Sequence, residues 1–175
     1  MGGVFSSGYH PGLHPVCILD ATRDGKIICP SGKGVWIMGF EFDQEFACRY
    51  KMIWGDSERT GMIDPKRDVE AWRDLVEECR SGYSDSLAEY DFDLHVRDFL
   101  QRAIDSSALQ LVNGYGDFRE SIELIDREFI EIATVETPWV NTQGLGWWHL
   151  RLPARGGEEF SDDVRGRIGV VIGRI

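Results

Sequence analysis

The sequence predicts an α+β fold in which one mostly antiparallel sheet, built from an N-terminal β-meander and C-terminal strands, carries two central acidic helices packed on it. Three observations favour this class. Short Ile-, Val- and aromatic-rich runs fill the first third of the chain, a helical period governs residues 64–106, and β-branched runs return after residue 121.

The length and composition suit one domain with its own core, because the chain has 175 residues, 42% of them hydrophobic. The first fifteen residues contain four Gly and two Pro, which predicts a flexible arm over 1–15 and a single α+β domain over 16–175. Apolar runs are far shorter than the ~20 residues of a membrane-spanning helix, and the N-terminus does not resemble a secretory signal. We therefore expect a cytoplasmic protein that does not bind membranes.

The predicted meander has four strands. The first two are expected at Val16–Ala21 and Lys26–Cys29, and the third at Val35–Phe42, after the turn "PSGKG". The fourth is expected at Glu45–Trp54, because its apolar side chains fall on every second position. Those side chains are Phe46, Cys48, Tyr50, Met52 and Trp54.

Helical signals begin at residue 64. Asp64 is a good N-cap, Pro65 suits the first helical position, and Gly82 supplies a C-terminal stop. Apolar residues recur at helical spacing between them, at Val69, Trp72, Val76 and Cys79. A second helix is expected from about Asp93 to Ser106, with a short additional turn at Ser86–Tyr90.

Strand character returns in the last third of the chain. We predict strands at Ser121–Asp126 and Phe129–Glu136, because β-branched residues crowd the second run. The same segment also fits one amphipathic helix, whose apolar stripe would be Ile122, Ile125, Phe129 and Ile132. Further strands are expected at Trp147–Leu152 and Arg167–Ile175.

The segment "IICPSGKGVW" resembles a phosphate-binding loop only superficially. The motif requires a glycine where Ile27 stands and a hydroxyl where Gly34 stands, and a helix must follow it. The next residues instead predict a strand. We interpret the segment as a turn.

No metal, cofactor or catalytic residue is predicted. His10, His14 and Cys17 have metal-like spacing, but Pro15 disfavours the helix that would bring two such histidines together. The paired aspartates of "DFD" at 91–93 and "DD" at 162–163 match no calcium loop, so we interpret them as solvated carboxylates or helix caps.

Among the other candidate nucleophiles and bases, Cys48 and Cys79 are expected in the core, because each lies on the apolar side of its predicted element. His149 is predicted to alternate with Trp148 on a strand, at a structural position or at the rim of the sheet.

Charge is the most informative property. Residues 61–135 carry eight basic and eighteen acidic side chains, a net charge of −10 out of −11 for the whole chain. A surface of this sign repels nucleic acid and attracts basic proteins. In size and acidity the chain is similar to immunity proteins, which neutralise basic bacterial toxins.

These observations predict a non-catalytic acidic binding or inhibitor protein that neutralises a basic protein partner, such as a nuclease toxin or a nucleic-acid-binding effector, without itself contacting nucleic acid. The contact face would be the acidic helices together with tryptophans of the Gly-rich loop "PWVNTQGLGWW". The predicted partner-binding residues are Asp68, Glu70, Asp74, Glu77, Glu78, Asp91, Asp93, Asp98, Trp139 and Trp147. The alternative is a small enzyme or ligand-binding domain with a cleft near Trp36, His149 and Arg151.

Overall fold

The computed structural model describes residues 42–54, 63–137 and 143–175, and these belong to one compact unit. Of the described residues, 67% are helical and 7% lie in strands. The predicted α+β class with a mostly antiparallel sheet is therefore wrong, because the described chain is mostly helical. The N-terminal arm, the glycine-lysine turn and the first three predicted strands lie outside the described residues, except for Phe42 at the end of the third strand.

Six α-helices are present in the described ranges, and α2, α3 and α5 are the long ones. Their bounds are α1 Gln44–Met52, α2 Pro65–Ser81, α3 Leu87–Ile104, α4 Ser107–Gln110, α5 Tyr115–Ile132 and α6 Glu158–Asp163. None of these helices is both long and apolar enough to cross a membrane.

The prediction of α2 is confirmed at both ends. The Asp64 carboxylate accepts a hydrogen bond from the backbone N–H of Arg67 at 3.0 Å, and Pro65 begins the helix. Gly82 ends it with a φ of 106°, a conformation that favours glycine. Helix α3 starts earlier than predicted, since the Ser86 hydroxyl accepts from the N–H of Glu89 and the expected short turn continues into the helix.

The predicted fourth strand is wrong, because residues 44–52 form α1. The Asp43 carboxylate caps this helix by accepting from the N–H of Phe46 at 2.7 Å. Phe46 and Tyr50 are one helical turn apart and fully buried, whereas Cys48 lies exposed between them. The expectation of a core Cys48 is therefore also wrong. A period-two pattern and a helical i, i+4 pair share the same two aromatic residues, which explains the error.

The strands predicted over 121–136 are replaced mainly by α5. Its buried stripe has the helical spacing that was the alternative interpretation, and it packs on α2. The buried hydrophobic residues of this stripe are Phe118, Ile122, Ile125 and Phe129. Only β1, Val135–Glu136, retains extended structure here.

The two C-terminal strand predictions are wrong over most of their length. Trp147–Leu150 form a 3₁₀ helix. The next two residues, Arg151–Leu152, form strand β2, which pairs antiparallel with β1. Val164–Ile168 form a π-helical turn. A second two-stranded sheet pairs β3, Arg155–Gly156, in parallel with β4, Gly173–Arg174.

Helix α2 occupies the centre of the described chain, since it packs on α5 along one side and on α3 along another. Trp72 of α2 is fully buried against Phe129, with ring centroids 4.9 Å apart. Its indole N–H donates to the Asp126 carboxylate at 3.0 Å, and the Arg97 guanidinium of α3 donates to both oxygens of the same carboxylate at 2.8 Å. This network fixes the three long helices to one another.

Candidate functional site

A groove of about 510 Å³ runs between α2 and α3. Its walls are formed by residues that recur about once per turn on each of the two helices. On α2 its lining residues are Arg67, Asp68, Ala71, Asp74, Leu75 and Glu78. On α3 they are Phe92, Asp93, His95, Val96 and Phe99.

The floor of the groove is apolar. Leu75 is buried, and half-buried Val96 and Phe99 lie beside it on α3. Phe92 belongs to the same stripe of α3, yet 70% of its surface is exposed. A large aromatic side chain that stays open at the edge of a concave apolar surface is typical of a binding site for another molecule.

The walls of the groove carry four carboxylates, of Asp68, Asp74, Glu78 and Asp93, against one guanidinium, of Arg67, so that their net charge is negative. Within the described ranges, the carboxylates of Asp74 and Glu78 form no ion pair or hydrogen bond with a cationic side chain. The pKa of Glu78 is raised, first by its partial burial and then by the negative charges of Asp85 and Asp93. Beyond the effect of burial, Asp85 and Asp93 therefore lie close enough to Glu78 for their negative charges to raise its pKa further.

Two of the predicted partner-binding residues have structural roles. Asp68 is 8% exposed and accepts a hydrogen bond from the Tyr50 hydroxyl at 2.8 Å, which fastens α1 to α2. Asp98 accepts from the indole N–H of Trp148 at 2.9 Å and lies 3.0 Å from Nε2 of His149, which fastens the 3₁₀ helix to α3.

The other predicted carboxylates are closer to solvent, but most of them have partners. Asp93 lines the groove and accepts from the Tyr83 hydroxyl at 2.7 Å. Glu77 pairs with Arg80 at 3.1 Å, and Glu70 lies 3.9 Å from the ammonium of Lys66. Those two pairs are exposed helical pairs, which add little stability.

The structure therefore brings together Asp68, Asp74, Glu78 and Asp93 of the predicted set, and it places the others outside the groove lining. Asp91 lies on another side of α3. Trp147 is half-buried against Phe129, and Trp139 lies outside the described residues.

Sequence reasoning missed the apolar half of the groove, in particular Ala71 and Phe92. The available signal was the spacing of Phe92, Val96 and Phe99, which places a second apolar stripe on α3 beside the one that packs in the core. Phe92 was overlooked because it lies between two aspartates that were interpreted as solvated.

A second cavity, of about 400 Å³, lies beside His149. His149 is buried, with Nε2 at 3.0 Å from each oxygen of Asp98 and Nδ1 at 3.6 Å from Asp91. Its predicted strand and rim placement are wrong, whereas the structural alternative agrees with these bonds. The cavity is lined by Leu87, Ala88, Tyr90, Asp91, Leu94, Thr137, His149, Leu152 and Arg167.

The cleft proposed near Trp36, His149 and Arg151 does not form as expected. Arg151 is not among the residues that line the His149 cavity, because its guanidinium donates to the carbonyl of Ala133 at 3.1 Å. Trp36 lies outside the described residues.

Two free cysteines lie in the part of the chain that the structure describes, Cys48 exposed on α1 and Cys79 on α2. Cys79 is buried as predicted, and burial raises the pKa of its thiol, which keeps the thiol protonated and unreactive. No group of three or more His, Cys, Asp or Glu side chains there could hold a metal ion. The possible ligands His10, His14 and Cys17 lie outside this part.

No protein-family model, curated protein or solved structure matches this chain.

Proposed function

We propose that the protein is a non-catalytic acidic binding or inhibitor protein, similar in role to immunity proteins, which neutralises a basic protein partner in the cytoplasm. The partner's chemistry is that of a nuclease toxin or another nucleic-acid-binding effector. One observation carries this proposal: the α2/α3 groove combines an apolar floor with two carboxylates, those of Asp74 and Glu78, that pair with no cationic side chain of the described residues.

Both halves of the groove contribute to such binding. Carboxylates of one sign raise the rate at which a basic protein arrives, and this steering weakens as salt rises. The apolar floor and Phe92 would then bury against the partner and slow its release. A nuclease covered at its cationic cleft in this way could not reach the phosphate backbone.

The proposed contact residues differ in their structural environment. Asp74 and Glu78 form the centre, because they line the groove and pair with no cationic side chain of the described residues. Phe92 takes the place of the loop tryptophans as the aromatic anchor. Asp68 and Asp98 are assigned to the fold, since their carboxylates hold α1 and the 3₁₀ helix in place.

Affinity capture with two charge-matched variants tests this proposal. Asp74→Lys/Glu78→Lys reverses the charge of two groove residues, and Glu120→Lys/Glu131→Lys reverses the charge of two exposed residues of α5. Each double substitution removes two negative charges and adds two positive ones, so both variants have a net charge of −7 instead of −11.

We expect wild type and the α5 variant to retain the same basic protein from the native host, to release it at high salt, and to inhibit its activity after purification. The groove variant should retain much less. Equal retention by the two variants would mean that total charge, not the groove, governs binding, and a partner that is not basic would contradict the proposal.

A second candidate function is supported by the His149 cavity. The Asp98 carboxylate orients the imidazole of His149, and a carboxylate–imidazole pair beside a cavity of this size is an arrangement used by ligand-binding domains and by enzymes with a histidine base. The proposal here is a small-molecule site, in which Arg167 and Asp91 would supply charged contacts at the edge.

Ala88→Trp tests this candidate, because Ala88 is exposed at the cavity and a large ring there should fill it. Screening a small-molecule library by NMR should give compounds that shift the His149 ring signals of wild type but not of the variant. Library compounds that leave the His149 ring signals of wild type unmoved would count against a ligand site.

A further inference from the structure

The α2/α3 groove has dimensions that suit the binding of a third helix. Its α2 wall extends over the twelve residues from Arg67 to Glu78, which corresponds to about 16 Å or three helical turns. The α3 wall repeats at 92, 96 and 99, the spacing of a helical stripe. Two packed helices with an open apolar line between them can accept another helix against both, as in a bundle.

The chemistry of the walls restricts what such a helix can carry. An apolar stripe would be needed to cover Leu75, Val96 and Phe99 on the floor. Cationic side chains would be needed on both sides of that stripe, because Asp74 and Glu78 rise from one wall and Asp93 from the other. An acidic helix would add negative charge beside Glu78, whose pKa is already raised by its partial burial and by the charges of Asp85 and Asp93.

The long stems of Lys and Arg fit the two parts of the groove at once. Their methylene groups can lie on the apolar floor while the charged heads reach the carboxylates. Positive charge at Glu78 would relieve the repulsion from Asp85 and Asp93. This charge complementarity favours a basic segment over a second copy of this acidic chain.

We propose that the α2/α3 groove receives one amphipathic helix of its partner, about three turns long, with an apolar stripe flanked by Lys or Arg. This inference rests on the proposed function and deepens it, since it names the structural element of the basic partner that makes contact. Recognition is then of the helix-in-groove type, in which anchors at i, i+3 or i+4, and i+7 fill the floor.

Two synthetic peptides of identical composition separate helix recognition from simple charge attraction. Both consist of fifteen Leu and Lys residues with the same number of each, but one has helical spacing of its leucines and the other alternates Leu and Lys. Binding to the full-length protein is measured by fluorescence anisotropy, and peptide helicity by circular dichroism. We expect the helical peptide to bind at least about tenfold more tightly and to gain helicity on binding.

Phe92→Ser supplies the matched test on the protein side. Phe92 is an exposed hydrophobic residue at the groove edge, and Leu111, 88% exposed, is one that lies away from it. Phe92→Ser should weaken binding of the helical peptide by roughly fivefold or more, whereas Leu111→Ser should leave it unchanged. Circular dichroism and thermal unfolding check that both variants are folded.

The outcomes distinguish this inference from the function on which it rests. If the two peptides bind with equal affinity, and Asp74→Lys/Glu78→Lys abolishes the binding of both, the inference of a bound helix is overturned. The groove would then be an acidic contact face without a preference for helices. If neither peptide binds wild type, the inference of a bound helix is also overturned. The proposed function is then tested separately by the affinity-capture experiment. Self-association of wild type that Phe92→Ser abolishes would identify a second copy as the occupant and overturn the inference.

Discussion

On the side of α2 that faces α5, the Asp126 carboxylate accepts hydrogen bonds from Trp72 and Arg97, whereas on the groove side Asp74 and Glu78 pair with no cation of the described residues. The side chains of Arg97 and Asp126 are 4% and 13% exposed. Carboxylates of similar chemistry thus serve different purposes. The paired one holds the helices together, and the unpaired ones leave charge available to another molecule.

The comparison also separates stability from binding. A buried carboxylate depends on its partners, because an unpaired charge away from water is costly. The Glu78 carboxylate in the groove is only partly buried and is repelled by Asp85 and Asp93, so that removing its charge removes this repulsion. Substitutions on the two sides should therefore change the free energy of unfolding in opposite directions.

Asp126→Asn should have the largest effect. It removes the charge that neutralises buried Arg97, and we expect a loss of about 3–5 kcal/mol in the free energy of unfolding. Urea unfolding followed by tryptophan fluorescence measures it. The control is Glu123→Gln on the same helix, whose exposed pair with Arg119 should be worth less than about 0.5 kcal/mol. Similar losses in the two variants would remove the contrast between buried and exposed carboxylates.

Tyr50→Phe should have an intermediate effect. The change removes the hydroxyl that donates to buried Asp68, and we expect a loss of about 1–2 kcal/mol by the same unfolding measurement. Affinity for the basic helical peptide should stay within about twofold of wild type, because the substitution leaves Asp74 and Glu78 in place. A large loss of affinity at unchanged stability would show that Asp68 belongs to the binding surface.

Glu78→Gln should have the smallest effect, and it should be stabilising at neutral pH. Because the folded state raises the pKa of Glu78, the ionised carboxylate is less favourable in the folded than in the unfolded chain. We expect a gain below about 1 kcal/mol, since solvent screens much of the repulsion.

The pH dependence of this small effect gives it a sharper test. The stabilising contribution of the shifted pKa is fully present below the unfolded value of 4.5 and is lost as pH rises through the higher folded value. The advantage of Glu78→Gln over wild type should therefore be absent at pH below about 4 and grow on going to neutral pH. An advantage independent of pH would contradict the assigned cause.

The sequence predicted the features that depend on local chemistry. The ends of α2 follow from Asp64, Pro65 and Gly82, which act through neighbouring backbone groups. The sequence-based prediction was wrong where one pattern of apolar residues fits both the period of a strand and the period of a helix. Phe46 and Tyr50 fit both a strand and a helix, and only their burial against Phe118 of α5 decides between them.

The groove could be predicted only in part. The acidity of α2 and α3 is evident from composition, but which carboxylates converge depends on how the helices rotate about their axes when they pack. Asp68 and Asp74 are both aspartates of α2 and cannot be distinguished by residue type. In the structure, Asp68 is buried against Tyr50 whereas Asp74 is exposed to solvent. The apolar floor needed both helices in contact before it could be recognised.

The most direct test of a groove that binds basic segments is the affinity of the helical Lys/Leu peptide for the two charge-matched double variants. Wild type, Asp74→Lys/Glu78→Lys and Glu120→Lys/Glu131→Lys are titrated in the same buffer at two salt concentrations. We predict at least about a tenfold loss for the groove variant, about twofold or less for the α5 variant, and weaker binding of wild type at the higher salt. Equal losses in the two double variants, or affinity independent of salt, would contradict the claim.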